Sequence, residues 1–214
     1  MHFTKMQGLG NDYLYVYAPA LPPDAAALAV RLSDRHFGVG SDGMIWILPS
    51  ETADCQMRIF NADGSEARMC GNGIRCVGKY VYEKGYVVKT ALTVETLSGI
   101  KTLTLSVTDD RVDSVTVDMG AAAVSAPRTL TAAGQAVTVT PVSVGNPHAV
   151  VFTADAAAAP LTTLGAALER HEAFPGGVNV EFVQVLSPTA LRMRVWERGS
   201  GVTLACGTGA CASV

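Results

Sequence analysis

Cys70 and Cys206 each open a Cys-Gly-x-Gly run, 136 positions apart. A cysteine placed before Gly-x-Gly at a helix start has a chemical use. The first N–H groups of a helix have no intrahelical acceptor, and that end carries partial positive charge. Glycines let the backbone approach a bound anion closely. A thiolate is favoured there, and the same N–H groups can hold a carboxylate. If that carboxylate belongs to an amino acid, its α-carbon lies beside the sulfur. Two such sites on opposite faces of one carbon, one as thiolate base and one as thiol acid, would remove a proton from one side and return it on the other.

The spacing belongs to a repeat that runs through the chain. Gly10-Asn11-Asp-Tyr-Leu-Tyr-Val-Tyr returns as Gly145-Asn146-Pro-His-Ala-Val-Val-Phe, and Arg35-His36 as Arg170-His171. Met57-Arg58-Ile-Phe60 returns as Met193-Arg194-Val-Trp196. Each half then reads as the same order of elements. Strands are expected at Tyr13 to Tyr17 and Ala149 to Phe152, and helices over Ala25 to His36 and Leu161 to His171. Further strands are expected at Gly43 to Leu48, Cys55 to Phe60, Val178 to Val185 and Ala190 to Trp196. A helix headed by Cys70 runs over Gly73 to Lys84 and stops at Gly85. Strand-like runs follow at Thr90 to Thr96, Lys101 to Thr108 and Asp113 to Met119. The aperiodic, alanine-rich Gly120 to Pro127 marks a boundary, giving domains 1–118 and 119–214. This pattern predicts an α+β fold of two pseudo-symmetric domains, each a curved, mostly antiparallel sheet wrapped round a central helix. By the same repeat, the second domain is expected to be incomplete at its C-terminus, because little chain follows Cys206.

Composition narrows the remaining classes. The 214 residues are 49% hydrophobic and 16% charged with a net charge of −3, which describes a globular protein of two domains. Lys and Arg are scattered, so neither nucleic acid nor a membrane surface is an expected partner. The N-terminus breaks into Gly and Asn before a signal-peptide core could form, so a cytoplasmic location is expected. Five cysteines without Cys-x-x-Cys argue against a disulfide framework or a zinc site. Cys55, Cys76 and Cys211 read as packing residues, the last two as core positions on their helices.

Eight stretches carry a family resemblance: Phe3-Thr-Lys-Met-Gln-Gly-Leu-Gly-Asn-Asp12, Gly38-Val-Gly-Ser-Asp-Gly43, Phe60-Asn-Ala-Asp-Gly-Ser-Glu66, Met69-Cys-Gly-Asn-Gly-Ile-Arg-Cys76, Gly145-Asn-Pro-His148, Val178-Asn-Val-Glu-Phe182, Trp196-Glu-Arg-Gly199 and Ala205-Cys-Gly-Thr-Gly-Ala-Cys211. The chain resembles diaminopimelate epimerases over essentially its whole length. The resemblance implies interconversion of LL- and meso-diaminopimelate for lysine and cell-wall synthesis, without pyridoxal phosphate or metal, by a cytoplasmic homodimer. It implies Cys70 and Cys206 as catalytic base and acid, with His148 beside them and Glu197 near the reacting amine. Gly71, Asn72, Gly207 and Thr208 match the groups gripping the reacting carboxylate. Asn11, Asn61, Asn146, Asn179 and Arg198 match the polar set around the substrate, and bidentate Arg suits its distal carboxylate. Position 43 is glycine where many family members carry glutamine. A proline or hydroxyproline racemase-type enzyme, built on the same two-thiol logic, is the alternative reading. An inactive amino-acid-binding fragment is another.

Overall fold

The computed structural model describes all residues, 1–214, and the chain divides into two compact units, Met1–Met119 and Gly120–Val214. The first unit contains β1 (Thr4–Gly8), β2 (Asn11–Tyr17), α1 (Ala25–Ser33), β3 (Gly43–Leu48), β4 (Cys55–Asn61), β5 (Glu66–Ala67), α2 (Gly71–Glu83), β6 (Ala91–Thr96), β7 (Gly99–Thr108) and β8 (Arg111–Asp118). Its sheet runs β1-β2-β3-β4-β6-β7-β8, with β5 added to β4. All pairs are antiparallel except β2/β3 and β4/β6. Helix α2 packs on β1 and β2 at one end of this order and on β7 and β8 at the other. A flat sheet of that width could not touch one helix at both ends, so the sheet curls round it.

The helix drives this arrangement through one apolar stripe. Ile74, Val77 and Val81 recur at helical spacing and are fully buried against Tyr15, Ile45, Ile47, Met57, Leu92 and Leu103. Burying each such side chain contributes about 1.5–3 kcal/mol. On the other sheet face, Ala25 and Ala29 of α1 cover Leu14, Val16, Met44 and Trp46. Strand β3 is therefore buried on both faces along its whole length, which explains its unbroken apolar sequence Met44-Ile-Trp-Ile-Leu48.

The second unit contains β9 (Ala123–Val124), β10 (Arg128–Ala132), β11 (Gln135–Ser143), β12 (Pro147–Phe152), a π-helical turn (Leu161–Gly165) running into α3 (Ala166–Glu169), β13 (Asn179–Ser187), β14 (Ala190–Glu197), β15 (Gly201–Val202) and α4 (Gly207–Ala212). Its sheet runs β10-β11-β12-β13-β14-β15, with β9 on β11. Only β12/β13 is parallel. Leu161, Leu164 and Leu168 cover one face, against Val151, Val180 and Phe182. Ala212 of α4 packs on the other, against Val142, Val150 and Val183.

Two expectations need correction. The helix expected over Leu161 to His171 is wound as a π-turn at first and ends at Glu169. Gly165 lies so close to Trp196 that a Cβ there would sit 2.9 Å from the Trp196 Cβ. Glu169 accepts from Trp196 Nε1 at 2.7 Å and from the Gly199 N–H at 3.0 Å, which pins the helix end to the turn after β14. Cys211 is exposed rather than core, because α4 turns Thr208, Gly209 and Ala212 inward. The stretch after Pro127 adds a hairpin, β10/β11.

Candidate functional site

In the first unit, parallel β2 and β3 and antiparallel β4 bring Asn11, Gly43 and Asn61 to one end of the sheet. The register pairs Tyr13 with Gly43 and Gly43 with Asn61. Cys70 reaches the same end as the N-cap of α2, in extended conformation, its Sγ accepting from the Gly73 N–H at 3.3 Å. The thiol donates to Asn11 Oδ1 at 3.3 Å, while Asn11 Nδ2 donates to Asp42 Oδ2 at 2.8 Å. Asp42 and Asp12 share Arg35, at 2.9 and 2.8 Å. Lys5 adds a second cation 3.1 Å from Asp12. Burial pushes Asp12 up, but hydrogen bonds and charge from Arg35 and Lys5 outweigh it and leave the carboxyl below its ordinary range.

The remaining first-unit residues have local roles. Asn61 Nδ2 donates to Ser65 Oγ at 3.0 Å. Gly71 and Asn72 form the first turn of α2, and Asn72 Oδ1 accepts from Arg75 at 2.7 Å. Gly43 leaves no room for a side chain: a Cβ would lie 2.2 Å from the Phe60 carbonyl oxygen and 2.9 Å from Tyr13 Cε1. A glutamine at this position is sterically excluded by this backbone.

The second unit repeats the construction. Parallel β12 and β13 set His148 opposite Asn179, and antiparallel β14 ends at Glu197 beside them. Asn179 Oδ1 accepts from the Arg198 N–H at 2.9 Å, and its Nδ2 donates to the Pro147 carbonyl at 3.2 Å. The Arg198 stem lies against Gly177, and its guanidinium donates to the Gly176 carbonyl at 3.2 Å. Glu197 accepts from Thr203 Oγ1 at 2.6 Å. Cys206 is the extended N-cap of α4, with Gly207 and Thr208 in the first turn, and its Sγ accepts from the Gly209 N–H at 3.3 Å. Thr208 Oγ1 lies 3.4 Å from that sulfur and accepts from Asn146 Nδ2 at 3.1 Å. Asn146 Oδ1 faces His148 Nε2 at 3.1 Å, and His148 Nδ1 faces Glu181 Oε1 at 2.7 Å.

Within the first unit the structure thus brings together Cys70 and Asn11. Within the second it connects Cys206, Thr208, Asn146 and His148. Asn61, Asn179, Glu197 and Arg198 stand at the same strand ends. The expectation of a favoured thiolate fails for Cys206: burial foremost, then the Glu197 charge, pushes the thiol up to about 12, outweighing the donors Thr208 and Gly209. A helix of six residues supplies little dipole to oppose that burial.

Sequence reading missed Glu181 and Tyr13. Both are buried, and Tyr13, the repeat counterpart of His148, is raised by burial first and by the Cys70 charge next. The signal for Glu181 was a lone acid in the strand start Val178-Asn-Val-Glu-Phe-Val183, whose residues are otherwise apolar except Asn179.

Known proteins place the chain. A family profile described as diaminopimelate epimerase matches residues 3–125 and 140–214. The diaminopimelate epimerase of Pelotomaculum thermopropionicum is 50% identical over 230 residues, covering 100% of this chain and 82% of that protein. That of Bacillus cytotoxicus is 52% identical over 230 residues, covering 99% of this chain and 80% of its own. Among solved structures, a probable proline racemase from Agrobacterium radiobacter superposes with a TM-score of 0.74 at 20% identity, covering 98% of this chain and 74% of that one. A hydroxyproline epimerase from Agrobacterium vitis gives 0.69 at 21%, with the same two coverages. These two likenesses are of fold; it is the sequence relationship, over the whole length described above, that makes the chain a member of the diaminopimelate epimerase family.

Proposed function

We propose that this protein is an amino-acid epimerase that interconverts LL- and meso-diaminopimelate by a two-thiol proton transfer needing neither pyridoxal phosphate nor metal. The observation that carries the reading is the paired construction of Cys70 and Cys206, each an extended N-cap over a glycine-rich helix start, in a chain about half identical to diaminopimelate epimerases along its length. One sulfur takes the α-proton as the other delivers one to the opposite face, and the roles exchange with direction. The backbone of Gly71, Asn72, Gly207 and Thr208 would grip the reacting carboxylate and stabilise charge that spreads onto it. Glu197 would meet the reacting ammonium, His148 would support the thiol pair, and Asn11, Asn61, Asn146, Asn179 and Arg198 would read the distal amino-acid end. A cytoplasmic homodimer is the working form we infer from the family. No helix is long and apolar enough to cross a membrane.

The test is deuterium incorporation from solvent into the α-position of diaminopimelate, followed by mass spectrometry beside proline as a second substrate. Exchange into diaminopimelate alone, lost in Cys70→Ala and in Cys206→Ala, is the expected result. Exchange into proline alone, or exchange that survives either substitution, overturns the reading.

A further inference from the structure

The hydrogen-bond chain behind Cys206 ends on a buried acid that the two-thiol chemistry does not use. Glu181 lies on β13 with its side chain fully enclosed, as is that of His148. Its Oε1 is 2.7 Å from His148 Nδ1, and its Oε2 is buried without a hydrogen-bond partner. Such a carboxylate is costly to keep as an isolated charge.

The direction of the chain fixes the protons. Asn146 Nδ2 is committed to Thr208 Oγ1, so its Oδ1 must accept from His148, and His148 Nε2 must carry hydrogen. Thr208, having accepted from Asn146, has its own hydroxyl hydrogen available for Cys206 Sγ, 3.4 Å away. Every donor then faces the sulfur. With Nε2 protonated, the one remaining proton lies between His148 Nδ1 and Glu181 Oε1, and the pair is neutral overall. If the pair loses that proton it becomes an anion. His148 Nε2 then turns acceptor, the Asn146 amide reverses, and Thr208 accepts from Cys206 instead of donating to it. Burial favours the neutral pair, and so favours donors directed at the sulfur.

We propose that Glu181 is a positioning residue, which holds one proton jointly with His148 and thereby sets the direction of a hydrogen-bond chain through Asn146 and Thr208 that ends on the Cys206 sulfur. The role rests on the two-thiol reading above, and it deepens that reading by giving Cys206 a partner that meets it as a thiolate. The first unit is wired in the opposite sense. Asp42 commits Asn11 Nδ2, so Asn11 Oδ1 accepts the Cys70 thiol proton. Other ionisable groups acting on the second-unit chain are Cys206 itself, at the start of α4, and Glu197, at the end of β14. Burial raises the Glu181 carboxyl and His148 lowers it, in keeping with a proton held at this pair.

Two measurements decide the matter. The first is the ¹⁵N spectrum of ring-labelled histidine in the wild-type protein, whose four histidines are assigned with a His148→Gln variant. His148 Nε2 is expected to be protonated at neutral pH. An unprotonated Nε2 overturns the proposal, whether or not the protein turns over diaminopimelate. The second is the pH profile of deuterium exchange in wild type, Glu181→Gln and Glu181→Asp, with thermal midpoints alongside. Wild type should lose exchange on the alkaline side as the pair gives up its proton. Glu181→Gln should lower kcat about tenfold or more with little change in KM, and lack that alkaline limb. Glu181→Asp should restore the limb. A Glu181→Gln profile parallel to wild type, with only a lower thermal midpoint, means a purely structural role and overturns the proposal. If Glu181→Gln does not fold, the histidine spectrum of wild type still decides.

Discussion

Under Cys70 the sheet presents Tyr13 and Ile45; under Cys206 it presents His148 and Glu181. The registers make these true counterparts. Tyr13 faces Gly43 across a parallel pair, two positions before Ile45, and His148 faces Asn179 across a parallel pair, two positions before Glu181. The helix glycines agree: a Cβ on Gly73 would lie 2.6 Å from Ile45 Cδ1, and one on Gly209 would lie 2.6 Å from Glu181 Oε1. The backbone, the capping sulfur and the glycine are the same in both halves. What differs is the floor, a phenol and an aliphatic side chain in one case, a buried histidine–carboxyl pair in the other. Duplicated architecture supplies two similar thiols, and a few floor residues give them different proton partners. A reaction that needs an acid and a base at once benefits from that inequality.

The largest effect expected is from the sulfurs themselves. Cys70→Ala and Cys206→Ala should each lower solvent-deuterium exchange into diaminopimelate by about 10²–10⁴-fold, the usual worth of a positioned acid or base. If one variant keeps exchange within a few fold of wild type, a single sulfur does the chemistry and the two-thiol reading is overturned.

Making the second floor like the first is the next test. Glu181→Ile alone leaves His148 Nδ1 buried without its partner, and losing one member of a buried pair costs about 3–5 kcal/mol. His148→Tyr with Glu181→Ile installs the pair the first half already uses. It should recover much of that stability, with a coupling of about 1–3 kcal/mol between the two positions in urea unfolding. Stability should return without activity. Additive losses would mean that the two floors are not interchangeable.

How much of this was legible in the sequence depends on how local the cause was. Helix α2 could be read because Cys70, the glycines and the apolar stripe all lie within one stretch of chain. Strand β3 could be read because burial on both faces leaves an uninterrupted apolar run. The β10/β11 hairpin was hidden by its turn: Ala133 and Gly134 both take positive φ, 48° and 75°, in place of the Asn-Gly or Asp-Gly that advertises such turns. The helix before β13 was overestimated because its periodicity continues past Glu169, where side-chain contacts to Trp196 and Gly199 end it. Family motifs singled out Asn146, His148 and Thr208, but not the chain that joins them. Glu181 escaped because its meaning comes from a side-chain contact with His148, on the neighbouring strand and 33 residues away.

The helix glycines sharpen the comparison at a smaller scale. In Gly73→Ala the new methyl meets the far end of a flexible side chain, Ile45 Cδ1, which can turn away. In Gly209→Ala it meets Glu181 Oε1 at 2.6 Å, with Cδ and Cγ both at 3.1 Å. That carboxylate is held by His148 and cannot move without breaking the pair. Overpacking of this kind costs about 1–3 kcal/mol, and Gly209→Ala should fall at the upper end with Gly73→Ala at or below the lower. Thermal midpoints of the two variants give the ranking, and equal shifts would mean that Glu181 is free to move.

The smallest effect tests where each chain of hydrogen bonds ends. From Cys70 the chain runs through Asn11 to Asp42 and out to Arg35, whose side chain is 55% exposed. From Cys206 it runs inward to a pair that solvent does not reach. Exposed ion pairs are worth about 0.2–1 kcal/mol and are screened by salt, whereas buried ones are screened much less. Arg35→Ala should therefore cost at most about 1 kcal/mol, and the loss should shrink as salt is added. Asp12 supplies the sign of the pH effect. Its folded pKa lies below the ordinary 3.8, so its contribution is fully present above that value and is lost as pH falls through the folded pKa. Arg35→Ala should flatten the acid side of the stability profile and leave the alkaline side unchanged. If the variant instead altered the alkaline limb of exchange, the outward chain would be acting on the chemistry as the inward one does, and the contrast between the two halves would dissolve.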